Sequence, residues 1–416
     1  MEFSKLKKEI EKVGVEGIVA HLIFMFVLTI LGAVGAMWSE NKIFFSLIAL
    51  VFFALTVLTV WIWFTMRPFN EKKDILILGR ESKINLLIGH VENRKSSIII
   101  GIFNAERTAI VDYLRAESSK DRYGKLDRQL IFSYIDMSAQ LPNFDYSKFW
   151  EQVLVTLYQI MSDDEKFVYN ASEKADFNFS SLDKLAQHMK EKKQQLVIVI
   201  DRLHQIIRYD KLNVPEFFKT MRGLSAHSDA PINFILTIGG EKQLYSLNLS
   251  KQGELYEFND MKRVILDSLS EDKLKELSKK GRLNLYEQIK EYGIAYPPLL
   301  IEVSDCLKQS KIGLNLIKRL KKSEIGGNCE EGVWKYLSTI LRSSDYDYLY
   351  ETMVLIAKNS VTSNGKILYD GKALDDLKAQ GFIEKSNDQW QICSKLIAKF
   401  LYEEVHKTDQ HVAMEK

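Results

Sequence analysis

The sequence predicts an α/β protein: a parallel sheet covered by helices, preceded by an apolar helical hairpin and followed by a helical region and a small mixed domain. Three observations lead there. Two runs, Gly17–Trp38 and Ile43–Phe64, are each about 20 residues long, enough to cross the hydrocarbon of a bilayer as a helix. Beyond them, short continuously apolar runs alternate with amphipathic stretches, the pattern of strands buried on both faces and joined by crossover helices. From Glu330 the order is helix, helix, then a helix ending at Gly381 and two short strands.

Residues 1–16 mix Lys5, Lys7, Lys8 and Lys12 with glutamates and read as a short helix lying at the membrane surface, on its cytoplasmic side. Residues 17–64 follow as a hairpin. Only Ser39–Lys42 join the two spans, and His21 is the one titratable residue within them. A cleaved secretory signal would have a shorter apolar core and no second span. Lysines precede the first span and Arg67, Lys72 and Lys73 follow the second, against Lys42 with Glu40 in the link. The positive-inside bias therefore puts both termini and the main domain in the cytoplasm, with the lipid bilayer of the cytoplasmic membrane as the first partner. Trp38, Trp61 and Trp63 stand at span ends, and Gly32, Ala33, Gly35 and Ala36 permit close helix contact.

Residues 65–263 form the main α/β domain. Pro68 ends the second span, and Ile75–Leu78 with the turn at Gly79 leads into an amphipathic helix. Ser96–Ile100 is a strand, turned at Gly101 into a helix. Gln129–Ser138, Leu196–Ile200 and Pro231–Ile238 read as further buried strands. Ser147–Ile160 carries Phe149, Trp150, Val153, Leu154 and Leu157 on one helical face, and Leu182–Lys193 is a second helix. Residues 264–325 read as a helical lid with no convincing strand, opened by Ser270 as N-cap with Glu271 and Asp272 in the first turn. Gly326-Gly327 is a break. Residues 330–407 read as a winged helix with Gly371–Gln380 in the recognition-helix position, Lys395–Val405 as the last helix, and 408–416 as a polar tail.

Composition removes several function classes. The chain has 416 residues and a formal charge of +2, so no basic excess argues for nucleic acid as an obligatory partner. Lys372 and Lys378 are offset by Asp375 and Asp376 on the recognition-position helix, a near-neutral face for phosphate. Cys306, Cys329 and Cys393 lack metal-ligand spacing and read as reduced thiols. No Ser-His-Asp, Cys-His or zinc-spaced set is present.

The informative stretch is Gly101-Ile-Phe-Asn-Ala-Glu106-Arg107-Thr108. It occupies the frame of a Walker A loop, G-x-x-x-x-G-K-[ST], in which backbone N–H groups at a helix N-terminus surround phosphate and a lysine adds charge. Gly101 and Thr108 fit. Arg107 keeps the cation but not the compact ammonium, and Glu106 sets a carboxylate where glycine would let phosphate approach. Asp201 ends the strand LVIVID, where open sheets place ligands and where a magnesium-holding aspartate is needed, yet Arg202 stands where a water-activating acid would be. Gly101, Arg107, Thr108 and Asp201 are thus the candidate ligands for ATP, with Thr108 and Asp201 also for Mg2+, and no catalytic base is assigned. Arg202 and His204 read as ion-pair or surface residues ahead of a compensating site. Asp136-Met137-Ser138 is the weaker ligand candidate at a strand end.

Together these pieces resemble the STAND group of AAA-related signal-transduction ATPases, from about Ile75 to Val405. Leu78-Gly79-Arg80-Glu81 is similar to that group's GRE signature, which implies Arg80 near the nucleotide base. FSYIDMSAQ, LVIVIDRLH and FILTIGG resemble its later strands, and Ala295-Tyr296-Pro297 stands where the lid usually carries Gly-x-Pro. The resemblance implies an ATP-linked signalling protein that self-associates or binds protein partners. With Glu106, Arg202 and Ala295 substituted, the expectation is a degenerate ATPase-like scaffold or regulator. A working ATPase that switches its hairpin in defence or stress signalling, and a membrane-tethered DNA-binding regulator, are the alternatives.

Overall fold

The computed structural model describes residues 77, 79–118, 126–161, 163–247, 258, 260–279, 295–300, 337–340, 347–359, 369–386 and 389–402. The chain divides into two compact units, Met1–Asp74 and Ile75–Lys416, and every described residue belongs to the second. Among the described residues no helix is long and apolar enough to cross a membrane. The spans expected at 17–38 and 43–64 lie outside the described residues, as do 1–16, 301–325 and 408–416.

Five strands, β1 Ser97–Ile100, β2 Gln129–Asp136, β3 Gln194–Asp201, β4 Ile232–Ile238 and β5 Lys262–Ile265, form one parallel sheet in the order β2-β3-β4-β1-β5. This is a P-loop NTPase-like α/β arrangement. Continuous apolar strands arise because both faces are covered: Ile98, Ile198 and Ile200 enter one core, while Ile99, Val197 and Val199 enter another. Helices α1 Glu81–Glu92 and α2 Asn104–Ser118 cover the second core with Leu87, Ile110 and Leu114. The first core is covered by α3 Tyr146–Ile160, α4 Asp163–Lys174, α5 Phe179–Glu191 and α6 Pro215–Ser225, centred on Phe149, Trp150 and Phe217. Asp145 and Asn178 cap α3 and α5 by accepting the N–H of Lys148 and Ser181, each at 3.0 Å.

Two readings change. The stretch read as lid from residue 264 begins inside a strand, since β5 pairs with β1 from Ser97↔Lys262 to Ile100↔Ile265. Its four residues carry Lys262 and Arg263, too short and too polar at the sheet edge to show a strand pattern. Helix α4 is also present in a stretch to which the sequence assigned no element.

After β5, α7 Glu271–Lys279 starts as expected at Ser270, whose hydroxyl accepts the Lys273 N–H at 3.4 Å. The C-terminal part comprises α8 Asp347–Asn359, α9 Gly371–Ala379, the antiparallel hairpin β6 Ile383–Ser386 and β7 Gln389–Ile392, and a helix over residues 395–402. Asp370 caps α9 through the N–H groups of Lys372 and Ala373 at 3.0 and 3.2 Å. Leu349, Met353, Leu377, Phe382 and Phe400 build a third core that also takes in Ile102 and Phe103. The loop after β1 is therefore shared between the sheet and the C-terminal part.

Candidate functional site

The carboxyl ends of β1, β2, β3 and β4 bring Gly101, Asp136, Asp201 and Ile238 to one edge of the sheet, with Asp136 and Asp201 as register neighbours. Gly101 is held in place by the bond from its N–H to the Ile238 carbonyl at 3.1 Å. A Cβ there would lie 3.0 Å from Leu266 Cβ, so the close approach of β5's exit favours glycine whatever the loop binds.

The next residues are placed differently from the expectation. Arg80, Glu106 and Arg107 are at most 2% exposed. Glu106 does not lean into the loop as a bare charge: Arg80 Nε donates to its Oε1 at 2.5 Å. The same guanidinium reaches Asp267 Oδ1 at 3.2 Å and the Asp267 carbonyl. Burial pushes the Glu106 carboxyl above the usual range, and the neighbouring Arg80 and Arg107 cations oppose that shift. Arg80, implied by the resemblance to lie near a base, is thus a structural cation joining the chain entry, α2 and the exit of β5.

Arg107 is neither solvated nor extended toward an open cradle. Its Nη1 donates to the Gly101 carbonyl and its Nη2 to Asn104 Oδ1, so the guanidinium folds back into its own loop. Three of the loop's N–H groups are also engaged within the protein: Ile102 donates to Gln380 Oε1 at 2.8 Å, and Glu106 and Arg107 to the Phe103 carbonyl at 3.2 and 3.3 Å. These residues fit a bound triphosphate poorly, because the Arg107 guanidinium and three of the N–H groups that would meet its oxygens already have acceptors.

Thr108 and Asp201, the two residues read as Mg2+ candidates, do come together. Thr108 Oγ1 donates to Asp201 Oδ2 at 3.2 Å. Asp201 also accepts the Tyr134 hydroxyl at 2.9 Å and the Thr237 hydroxyl, so three hydroxyls already satisfy a carboxylate that is 2% exposed. Burial, then the carboxylates of Asp201 and Asp136, push the Tyr134 phenol up and keep it a donor. Among the described residues no group of three His, Cys, Asp or Glu could hold a metal ion. Arg202 lies in the left-handed region at φ 55° and pairs with Asp136 Oδ2, in keeping with the ion-pair reading, and His204 is buried. An arginine held there cannot accept a proton from water.

Sequence reasoning missed Tyr134, Thr237 and Gln380, and it set Asp376 on an open helix face, whereas Asp376 is buried. A polar residue near the end of the apolar strand INFILTI was a readable sign for Thr237; nothing local marked the others. Thr237 is fully buried and also accepts the Arg202 N–H at 2.9 Å. Thr237→Val is expected to lower stability by about 1–3 kcal/mol, the usual loss when buried polar groups are left unpaired. A urea midpoint unchanged from the native chain would show that these bonds contribute nothing.

No family model matches the chain, and no curated protein matches it. Among solved structures it is similar to a Walker-type ATPase of Pyrococcus abyssi, at 15% identity over 78% of this chain and 95% of that one, with a TM-score of 0.47. The ORC2 protein of Aeropyrum pernix in ADPNP–ADP complexes is 11% identical over 81% of this chain and 95% of its own, at 0.44. The ORC1 protein of the same organism in complex with DNA is 11% identical over 80% and 96%, at 0.34.

Proposed function

We propose that this chain is a membrane-anchored, ATPase-like protein that turns over no nucleotide and acts as a signalling scaffold or regulator through protein association. The observation that carries it is the Arg107 guanidinium closing on Gly101 and Asn104 within its own loop. Phosphoryl transfer depends almost wholly on positioned charge, and three of those positions are taken: Glu106 by Arg80, Arg107 by the loop, and Arg202 by Asp136.

Anchoring is the reading of residues 17–64, with their flanking cations favouring cytoplasmic termini and residence in the cytoplasmic membrane. Tethering in two dimensions raises effective concentration, which favours self-association. The C-terminal winged-helix reading is supported by α9, the β6–β7 hairpin and the helix over 395–402. Asp376 on α9 and Gln380 at its C-terminal cap are turned into the protein, which favours protein over nucleic acid as partner.

A second reading, a working ATPase of the STAND kind, is favoured by the retained Thr108–Asp201 contact. One assay separates the two. The full chain in detergent micelles is expected to show no magnesium-dependent ATP hydrolysis above a mock preparation. Turnover that disappears in Asp201→Ala would overturn the first reading and establish the second.

A further inference from the structure

Gln380 is 278 residues from Ile102 in sequence and buried against it. Its Oε1 accepts the Ile102 N–H at 2.8 Å and its Nε2 donates to the Gly239 carbonyl at 2.9 Å, so one amide bridges the exits of β1 and β4. The amide's orientation follows from those partners, since a flip would set N–H against N–H and oxygen against oxygen. One turn earlier, Asp376 accepts the N–H groups of Glu241 and Lys242 at 2.9 and 3.1 Å and the Tyr348 hydroxyl at 3.1 Å. The backbone must come close for this: a Cβ on Gly240 would lie 2.7 Å from Asp376 Oδ2. All three N–H groups lie at the carboxyl edge of a parallel sheet, where such donors usually meet an anionic ligand.

We propose that α9 is a nucleotide-independent latch, in which Gln380 and Asp376 hold the C-terminal part against the loop by supplying acceptors from the protein itself. Closure then needs no bound ATP or ADP. Opening frees the Ile102 N–H and uncovers Leu377 and Phe382, so it answers to whatever binds α9 or the loop rather than to nucleotide exchange. Aromatic packing reinforces the same seam, with Phe103 of the loop 5.5 Å from Tyr296 and 6.0 Å from Phe382 between ring centroids. The latch goes beyond the preceding reading, because it holds whether or not nucleotide is hydrolysed.

Hydrogen exchange on the full chain in detergent micelles tests it, comparing the native protein with the near-isosteric double variant Gln380→Glu, Asp376→Asn. Glutamate sets an acceptor against the Gly239 carbonyl, and asparagine sets a donor against one of the two N–H groups. Peptides covering Ile102 and residues 239–243 are expected to exchange about tenfold faster in the variant, as the loss of two buried bonds implies. Strands β2 and β3 keep their protection, and magnesium ATP leaves native exchange unchanged. Unchanged exchange in the variant overturns the latch, as does a native loop protected only when magnesium ATP is added. Should β2 and β3 lose protection as well, Gln380→Asn, one methylene shorter with the same chemistry, is measured for the same outcomes. Hydrolysis by the native chain together with faster exchange in the variant would remove the non-hydrolysing reading and leave the latch; no hydrolysis with unchanged exchange would do the reverse.

Discussion

Arg80→Ala is expected to destabilise the ATPase-like part by about 3–5 kcal/mol, the loss that follows when one partner of a buried ion pair is removed. The reason lies in what remains. Glu106 would keep its place on the first turn of α2, out of water, without the guanidinium that bonds it at 2.5 Å. The Asp267 carbonyl at the exit of β5 would lose a donor in the same step. A neutral pair should behave differently, because two apolar side chains leave no buried charge behind: Arg80→Met with Glu106→Leu is expected to cost well under the sum of the single changes. Urea denaturation of the four proteins in the cycle measures this directly. Single losses that simply add in the double variant would show that the two side chains do not act as a pair.

Phe103→Ala carries the second large effect, about 3–5 kcal/mol for truncating a buried phenylalanine. Phe103 is 2% exposed and belongs to the third core, although it sits in the loop that follows β1. Its ring packs beside Tyr296 and Phe382, which themselves stack at 4.5 Å with an interplanar angle of 13°. The cavity would therefore open at the seam between the sheet and the C-terminal part, not within either. Loss of stability should couple with Tyr296→Ala, since aromatic pairs in contact add about 0.5–1.5 kcal/mol beyond area. A cycle with no coupling would mean that each ring is held by its own side of the seam.

The tyrosine between Ala295 and Pro297 has a structural role of its own. Tyr296 is buried, and its hydroxyl donates to the Gln380 carbonyl at 3.3 Å. Burial pushes its phenol well up, so it remains a donor. The sequence left Tyr296 without a role; the structure shows it as a pillar of the seam.

Strands β1, β3 and β4 were legible because burial on both faces leaves mostly apolar runs, as in LVIVI before Asp201, whereas β2 at the sheet edge buries alternate residues. Helices α3 and α5 were legible from apolar spacing, and the start of α7 from Ser270. β5 was not, because an edge strand of four residues pairs mainly through its backbone, which every residue carries. At the site, Thr108 and Asp201 were singled out from the loop frame and the strand end, and the structure makes them neighbours. The direction in which Arg107 points did not, nor did the fate of Glu106.

By itself the sequence determined the α/β class, the loop frame, and the presence of Glu106, Arg107 and Arg202 at positions where phosphate chemistry wants other residues. Only the tertiary structure decided that Glu106 meets Arg80, that Arg107 closes its own loop, and that Gln380 reaches Ile102 across 278 residues. Periodicity reports burial because the repeat of a helix or strand is local. Partnership between buried charges is set by how distant segments pack, and no local repeat encodes it.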